Sequence, residues 1–281
     1  MSVLIDIGGS GIKMAEYSHG SIGEIVNYYG RITTYEDFIE AIRKKNRDKR
    51  IKGVAISAAG FINAEEGKVI QCRCAPFLEG DIVRRLNKEF PFAKIQIVND
   101  GEAHARSLLL PENNVRFGAI HLALGTSVSF GVINEKKEIV KACNGENWDI
   151  GDYQLRTREA PYDVWYKLGT DGLSELENND SLGGDAYRHY GLRLGGLLRN
   201  LAVIFRPRTI GLSGGIISSH GDEILNGVRQ EWKDEGFSAP VKSAGIEFKV
   251  LKRDTTVMEG LTTLLKLPTL KRIVEPWKLN N

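Results

Sequence analysis

Short apolar runs separated by turns of small residues dominate the pattern of this 281-residue chain. Apolar and alternating stretches over residues 3–17 are interrupted by the glycine-rich turn at 8–11, which predicts two strands joined in a hairpin. The same pattern returns over residues 119–134, where the small-residue turn lies at 125–129. The recurrence predicts an internal duplication, in which each half opens with a β-hairpin.

The remaining elements follow from the two-residue period of strands and the 3.6-residue period of helices. We predict strands at residues 52–57, 67–70, 96–98, 209–212 and 249–251, and helices at 35–45, 80–90, 103–110, 161–168, 185–205, 224–232 and 255–266. The longest helix places Leu194, Leu197, Leu198, Leu201 and Ile204 on one stripe. That stripe predicts that all five side chains face the core.

The composition is that of an ordinary globular protein large enough for two lobes. Hydrophobic residues make up 42% of the chain, charged residues 26%, and the net charge of +2 gives no reason to expect nucleic acid as a partner. The basic run at 43–50 is interpreted as a solvated helix end. No apolar run approaches the roughly 20 residues that span a bilayer. Because Asp6 interrupts the first apolar stretch, we expect neither a signal peptide nor a membrane anchor.

The three cysteines, Cys72, Cys74 and Cys143, form an odd set. Such a set fits a reducing cytoplasm better than a disulfide framework, so we expect a cytoplasmic protein. The spacing of Cys72 and Cys74 is compatible with metal binding, but a zinc site normally needs four ligands. No nearby cysteine or histidine pair completes one, and we therefore expect no structural zinc.

The first candidate for chemistry is the pair Asn99 and Asp100, between the strand at 96–98 and the helix at 103–110. In open α/β sheets, ligands bind beyond the carboxyl ends of the strands. A carboxylate there, beside an amide that fixes a hydroxyl, can accept a proton from an alcohol. Plain helix capping has equal weight, because Asn99 followed by Glu102 also matches the N-cap pattern.

The glycine turns are the second candidate. The turn at 8–11 is followed by a strand, whereas the P-loop and the dinucleotide fingerprint both require a helix after the glycines. What remains is either an ordinary tight hairpin or one whose backbone N–H groups face an anion. Two such hairpins could clamp the phosphates of a nucleotide, and the strand–glycine–helix junction at Gly214 and Gly215 would let a ribose or base approach closely. The polar loop at 144–152, with Asp149 and Asp152, is either part of a site or a surface turn.

Four segments occur together in the order found in one family. They are residues 6–13 (DIGGSGIK), 99–100 (ND), 122–126 (LALGT) and 212–216 (LSGGI). On these segments nearly the whole chain resembles the ROK family of bacterial sugar kinases and related repressors. The resemblance implies an α/β, two-lobed actin-like ATPase (ribonuclease H-like) fold with mixed five-stranded sheets and an interlobe cleft. It also implies an N-terminal lobe of residues 1–117 plus 255–281 and a C-terminal lobe of residues 118–254 that carries dimerisation.

The resemblance further assigns roles to individual residues. The nucleotide of ATP would contact Asp6, Gly8, Gly9, Ser10, Gly11, Lys13, Gly125, Thr126, Ser127, Gly214 and Gly215. Asp6 would hold Mg²⁺, directly or through water, and Asp100 would be the catalytic base. The sugar would contact Asn99, Gly60, Asp149 and Asp152.

The sequence also departs from the family pattern. Family kinases commonly carry Glu-Ile-Gly-His where this chain has DIGD at 149–152, and a cysteine cluster soon afterwards, whereas residues 153–163 contain no cysteine. This departure implies that the zinc motif is absent and that a carboxylate, Asp152, stands in place of an imidazole. The second phosphate turn is usually richer in glycine, and the β-branched Val128 there predicts weaker nucleotide binding.

Two functions fit these observations. The first is ATP-dependent phosphorylation of a hexose or hexose derivative at a primary hydroxyl, by a glucokinase-like or fructokinase-like homodimer. The alternative is a sugar-sensing or regulatory protein with weakened catalysis. Family repressors carry a DNA-binding module ahead of the first hairpin, and because only five residues precede Asp6 we do not expect DNA repression. An actin-like ATPase that remodels proteins has little support, because such chains are usually longer.

Overall fold

Two mixed β-sheets, each flanked by helices, form the computed structural model, which describes residues 1–46, 50–151, 153–156, 161–235, 245–252 and 255–266. The strands are β1 (Ser2–Gly8), β2 (Gly11–Ser18), β3 (Ser21–Ile22), β4 (Val26–Asn27), β5 (Gly53–Ala58), β6 (Phe61–Asn63), β7 (Lys68–Gln71), β8 (Lys94–Asn99), β9 (Ala119–Leu124), β10 (Val128–Ile133), β11 (Ile139–Val140), β12 (Gln154–Arg156), β13 (Pro161–Asp163), β14 (Thr209–Ser213) and β15 (Glu247–Val250). The helices are α1 (Tyr35–Asn46), α2 (Ile82–Glu89), α3 (Asp100–Ser107), α4 (Val164–Lys167), α5 (Thr170–Glu177), α6 (Ala186–Phe205), α7 (Gly215–Glu235) and α8 (Thr256–Lys266).

The two sheets have the same strand arrangement. The first runs β3-β2-β1-β5-β8 and the second runs β11-β10-β9-β14-β15. In each sheet, the two strands of the opening hairpin are antiparallel. One further strand, β5 or β14, pairs in parallel with the first hairpin strand, and the last strand, β8 or β15, pairs in parallel with that one. The predicted two-lobed α/β fold with mixed sheets is therefore confirmed. The first sheet departs from five strands only by the short β4, which pairs with β2.

Helix α3 lies between the two sheets. On one side Ala103 belongs to a core that joins the first sheet to α8. On the other side Ala105 and Leu108 pack with residues of the second sheet. The approach to β10 is so close that a Cβ added at Gly131 would lie 2.6 Å from the Cβ of Ala105. Because small residues let α3 pack closely against both sheets, this packing holds the N-terminus of α3 at the boundary of the lobes.

Two local predictions are wrong. The helix predicted at 161–168 begins as strand β13, which pairs with β12, and only Val164–Lys167 is helical. Tertiary pairing outweighs the helical pattern there. In α6 the predicted stripe is buried except for Ile204, which is 64% exposed. At about 100° per residue, Ile204 lies roughly 70° from the middle of the four buried leucines, beyond the edge of the helix face that the core covers.

Membrane-spanning helices are not found among the described residues, since no helix there combines the length and the apolar character that a span requires.

Candidate active site

Asp100 lies at the first position of α3, directly after β8. The preceding residue caps this helix: the side-chain oxygen of Asn99 accepts a hydrogen bond from the Gly101 N–H at 2.8 Å. The Asn99 amide nitrogen also donates to the Gly60 carbonyl at 2.9 Å. Capping and a role in a site are therefore compatible, because one amide both starts the helix and ties it to the loop at Gly60.

Asp100 lines a large cavity of about 410 Å³. Three of the predicted sugar contacts, Gly60, Asn99 and Asp149, line it. Its wall also contains aromatic and polar side chains that the sequence reasoning did not select, among them Phe61, Trp148, Gln71, Arg73 and Asn147. Aromatic faces beside hydrogen-bonding groups suit a polyol ring, which has apolar C–H faces and polar edges. The remaining predicted contact, Asp152, lies outside the described residues.

A small cavity of about 190 Å³ adjoins the large one and is also lined by Asp100. Ten of the eleven residues predicted to contact the nucleotide line it: Asp6, Gly8, Gly9, Ser10, Lys13, Gly125, Thr126, Ser127, Gly214 and Gly215. Gly11 is not among the lining residues. The hairpin itself requires a glycine at this position. Gly11 has a φ of +112°, and a Cβ added there would lie only 2.9 Å from the side-chain oxygen of Asn27.

The two glycine turns face each other across the small cavity. A Cβ built on Gly9 would lie 3.1 Å from the methyl carbon of Thr126. At Gly8, Gly125 and Gly215, by contrast, an added Cβ would meet no atom within 4 Å. These three glycines border open space, which leaves room for a ligand to approach the backbone closely.

Two carboxylates share the small cavity. Asp6 accepts a hydrogen bond from the Ser57 hydroxyl at 3.1 Å. Burial raises the pKa of Asp6 to about 6, with a further upward contribution from Asp100, while Lys13 and the Ser57 hydrogen bond act in the opposite direction. Burial also raises the pKa of Asp100, against hydrogen bonds from Ser129 and from the Gly101 N–H. A base with a raised pKa holds a proton more readily at neutral pH.

The donor set fits Mg²⁺ held together with a phosphate chain. Mg²⁺ prefers oxygen ligands and usually takes one or two carboxylates, keeping the rest of its shell for phosphates and water. Asp6 supplies such a carboxylate at the wall of the small cavity. Among the described residues, no group of three or more His, Cys, Asp and Glu side chains is arranged to hold a metal without other ligands.

Ser129 is a site residue that the sequence reasoning missed. Its hydroxyl donates a hydrogen bond to the Asp100 carboxylate, and it lines both cavities. Ser129 belongs to β10 of the second sheet, whereas Asp100 follows β8 of the first. No local signal predicts the contact, because it depends on how the two lobes meet.

His104 is a second missed residue, one helical turn after Asp100 on α3. It lines the small cavity, and its Nδ1 lies 3.1 Å from the Ser213 hydroxyl. Burial, with Lys13 nearby, lowers the pKa of His104 to about 4, so the imidazole is neutral at pH 7. The four-residue spacing from Asp100 is a signal that could have found it.

A buried ionic cluster fixes the loop that carries Asp149. Glu102, only 5% exposed, accepts hydrogen bonds from Arg106 at 2.7 and 2.9 Å and pairs with Lys141. Lys141 also donates to the Asn147 side-chain oxygen at 2.8 Å. The Asn147 amide in turn donates to the Ile62 carbonyl at 3.2 Å. The wall of the large cavity is thereby tied both to α3 and to β6.

Asp149 is held at the end of this loop. Its side-chain oxygen accepts a hydrogen bond from the Gly151 N–H at 2.8 Å, so the carboxylate is oriented by its own turn. It contributes to the raised pKa of Asp100 through like-charge repulsion, a smaller influence than burial. Two carboxylates therefore face the large cavity, and a hydroxyl-rich ligand can donate to both.

Two duplicated lobes with a cleft between them define the actin-like ATPase class of folds. No family model matches the sequence, and no curated relative does either. Solved structures do match. A ROK family protein from Streptococcus pneumoniae in complex with sucrose is 21% identical, with a TM-score of 0.73 over 94% of this chain and 98% of the other.

Further matches cover the same share of this chain. A ROK family glucokinase from Streptomyces griseus, in complex with glucose and AMPPNP, is 17% identical, with a TM-score of 0.69 over 94% of this chain and 98% of the other. A ROK family transcriptional regulator, a homolog of the E. coli MLC protein, is 13% identical, with a TM-score of 0.71 over 94% of this chain and 77% of the other. The resemblance of the four sequence segments to the ROK family thus extends to the fold, which kinases and a regulator share.

Proposed function

We propose that this protein is an ATP-dependent sugar kinase that transfers the γ-phosphoryl group to a primary hydroxyl of a hexose or hexose derivative. The observation that carries the proposal is that Asp100 lines both cavities. Phosphoryl transfer requires an alcohol, a base and a phosphate chain to meet at one point, with little covalent work by the protein. The glucokinase of the same fold, which binds glucose and AMPPNP, supports the proposal.

On the acceptor side, Asp100 takes the proton of the attacking hydroxyl. Its raised pKa suits this task, because the proton is retained while the oxygen attacks. Asn99, Gly60 and Asp149 hold other hydroxyls of the ring, and the faces of Phe61 and Trp148 cover its C–H surface. Holding the acceptor in one orientation supplies much of the rate enhancement.

On the donor side, the two glycine turns hold the phosphates of ATP. Gly8, Gly125 and Gly215 leave space for close approach, and Lys13 brings a positive charge to the same cavity. Helix α7 begins at Gly215, and the free N–H groups of its first turn favour negative charge, although non-helical backbone at His220 interrupts the helix soon afterwards. Asp6 would hold Mg²⁺ or one of its waters, and the ion would neutralise charge on the phosphates.

The sugar-sensing alternative has one specific observation in its favour. The Ser129 hydroxyl is hydrogen-bonded to Asp100, where a catalytic base would receive the substrate hydroxyl. A regulator with the same fold also exists. Calorimetry separates the two functions, because a sensor would bind sugar but would not bind ATP with Mg²⁺.

We further propose the predicted division into lobes, residues 1–117 with 255–281 and residues 118–254, and a homodimer formed through the second lobe. The packing of α8 against the first sheet supports the division into lobes.

The homodimer is supported by an exposed apolar pair on α6. Val203 and Ile204 are 52% and 64% accessible, which suits an apolar contact between two copies. Light scattering during size exclusion would test the dimer, and a monomeric mass would contradict it.

A screen of hexoses and hexose derivatives tests the proposed activity. Each sugar is incubated with the protein, ATP and Mg²⁺, and ADP release is coupled to NADH oxidation. We expect one or a few sugars to stimulate ADP release well above the sugar-free rate, with formation of a sugar phosphate. If no sugar does so, although calorimetry shows that one binds, the sensor replaces the kinase as the proposed function.

A further inference from the structure

Ser129 occupies the position that the proposed reaction requires of an acceptor. The reaction needs a hydroxyl that donates to the base and lies at the edge of the phosphate-binding space. The Ser129 hydroxyl donates to Asp100, and Ser129 lines the small cavity as well as the large one. A serine hydroxyl and a sugar hydroxyl are chemically equivalent nucleophiles towards a phosphoryl group once a base takes the proton.

Other hydroxyls in or near the small cavity lack one of these properties. Ser10, Thr126 and Ser127 line the small cavity, but within the described part of the chain no hydrogen bond joins their hydroxyls to Asp100. Ser57 does donate to a carboxylate, but that carboxylate is Asp6, and Ser57 lines neither cavity. Base contact and access to both cavities coincide at Ser129.

We propose that, when no sugar is bound, the protein phosphorylates itself on Ser129. Asp100 takes the Oγ proton, Oγ forms a bond to the γ-phosphorus of ATP, and the bond from that phosphorus to the β,γ-bridging oxygen breaks. The products are phosphoserine and ADP, and the proton leaves from Asp100 to solvent. This inference rests on the proposed kinase function, since it uses the same base and the same donor.

The consequence would be a self-limiting enzyme. A phosphoserine carries about −1.5 to −2 charges at neutral pH, and here it would lie against the Asp100 carboxylate. Like-charge repulsion and the added volume would keep a sugar hydroxyl from reaching the base. A bound sugar, in contrast, displaces the Ser129 hydroxyl from Asp100 and prevents the modification.

Phosphosite mapping tests the inference on the full-length protein. It is incubated with ATP and Mg²⁺ without sugar, and the phosphorylated residue is identified by peptide mass spectrometry. We expect phosphate on Ser129, at a first-order rate independent of protein concentration. The sugar found in the screen should suppress the incorporation. Asp100→Asn should slow it by about 10²-fold or more, because the base is lost.

Two serine variants complete the design. Ser129→Ala should abolish incorporation, and Ser21→Ala, which removes an exposed hydroxyl from β3, should leave it unchanged. Thermal melting of each variant shows whether it folds. Phosphosite mapping on the wild-type protein does not depend on either variant.

The outcomes separate the inference from the proposed function. If a sugar stimulates ADP release but Ser129 stays unmodified without sugar, the inference is overturned and the kinase stands. Phosphate confined to Ser10, Thr126 or Ser127 also overturns it. If neither sugar-dependent ADP release nor phosphate on any residue is detected, both fall together.

Discussion

The two walls of the small cavity differ in chemistry. The first sheet and α3 contribute ionisable groups, Asp6, Lys13, Asp100 and His104. From the second sheet and the start of α7, the lining residues that the structure describes are glycine, alanine, leucine, serine and threonine. Under the proposed function, the first sheet and α3 would supply the base and the metal ligand, while the second sheet and the start of α7 would shape the space for the nucleotide.

The largest effect is expected from removing the base of the charged wall. Asp100→Asn keeps the shape of the side chain but cannot accept the proton, so kcat should fall by roughly 10²- to 10⁴-fold. KM for sugar and for ATP should change little, since binding contacts remain. Steady-state kinetics with the sugar from the screen measures this. Asp222→Asn, at an exposed ion pair with Lys252, is the matched control and should retain full activity.

Asp6→Asn, in the same charged wall, should raise the stability of the protein while lowering its activity. Because the pKa of folded Asp6 is about 6, above its usual 3.8, the folded state binds the proton more tightly than the unfolded state does. Asp6 therefore lowers the stability of the ligand-free protein above pH 6, and this penalty disappears as the pH falls towards 4. Since raising a pKa by one corresponds to about 1.4 kcal/mol, the variant should be more stable at pH 7 by roughly 2–3 kcal/mol.

Urea denaturation at pH 4 and pH 7, without Mg²⁺, measures that difference. The gain should be present at pH 7 and absent at pH 4. The variant should nevertheless lose activity, and Mg²⁺ with ATP should stabilise it less than the wild type. Equal stability of the two proteins at pH 7 would contradict the account of Asp6.

In the uncharged wall, we expect stability and ATP binding to depend on side-chain volume and not on charge. Two adjacent glycines test this expectation. Gly214 has a φ of +98°, and an added Cβ would collide with the backbone oxygen of Leu124. Gly214→Ala should destabilise the fold by about 1–3 kcal/mol. Gly215→Ala meets no protein atom within 4 Å, so its melting temperature should stay near that of the wild type.

The same Gly215→Ala variant should raise KM for ATP by roughly tenfold or more, because the methyl group enters space reserved for the ligand. Thermal melting and ATP titration of the two variants form the test. An unchanged KM for ATP would show that the nucleotide does not approach α7 at this residue.

The smallest effect is expected at the ionic cluster behind the large cavity. Glu102→Gln leaves Arg106 and Lys141 without their carboxylate, at 14% and 25% side-chain exposure. Because both cations retain partial access to water, we expect a loss of about 1–2 kcal/mol in unfolding free energy. Since Lys141 also holds Asn147, KM for sugar should rise while KM for ATP stays constant. A change confined to KM for ATP would contradict the view that this ionic cluster supports the wall of the large cavity.

Local signals in the sequence predicted much of this structure. The hairpins at Gly8 and Gly125 and the junctions at Asn99 and Gly214 depend on residues adjacent in the chain, and turn chemistry determines them. The contact of Ser129 with Asp100 depends on how the lobes dock, which no short window encodes. The same limit applies to Ile204, whose exposure depends on where the core ends.

The resemblance to ROK proteins selected most of the residues that line the small cavity, but among those that line the large cavity alone it selected only Gly60, Asn99 and Asp149. Trp148, Phe61 and Arg73 come from three separate loops and strands that the fold brings to one place. Nothing in their local spacing marks them as neighbours. Substrate recognition is therefore the part of the site that required a structure.

The central claim is that Asp100 meets the acceptor hydroxyl and the phosphate chain at one point. A crystal structure with the sugar from the screen, Mg²⁺ and a non-hydrolysable ATP analogue tests it most directly. The account predicts the primary hydroxyl of the sugar within about 2.6–3.2 Å of an Asp100 carboxylate oxygen, in place of the Ser129 hydroxyl, with the γ-phosphate on its far side. A bound sugar whose hydroxyls all lie beyond hydrogen-bond reach of Asp100, with Ser129 still donating to that carboxylate, would contradict it.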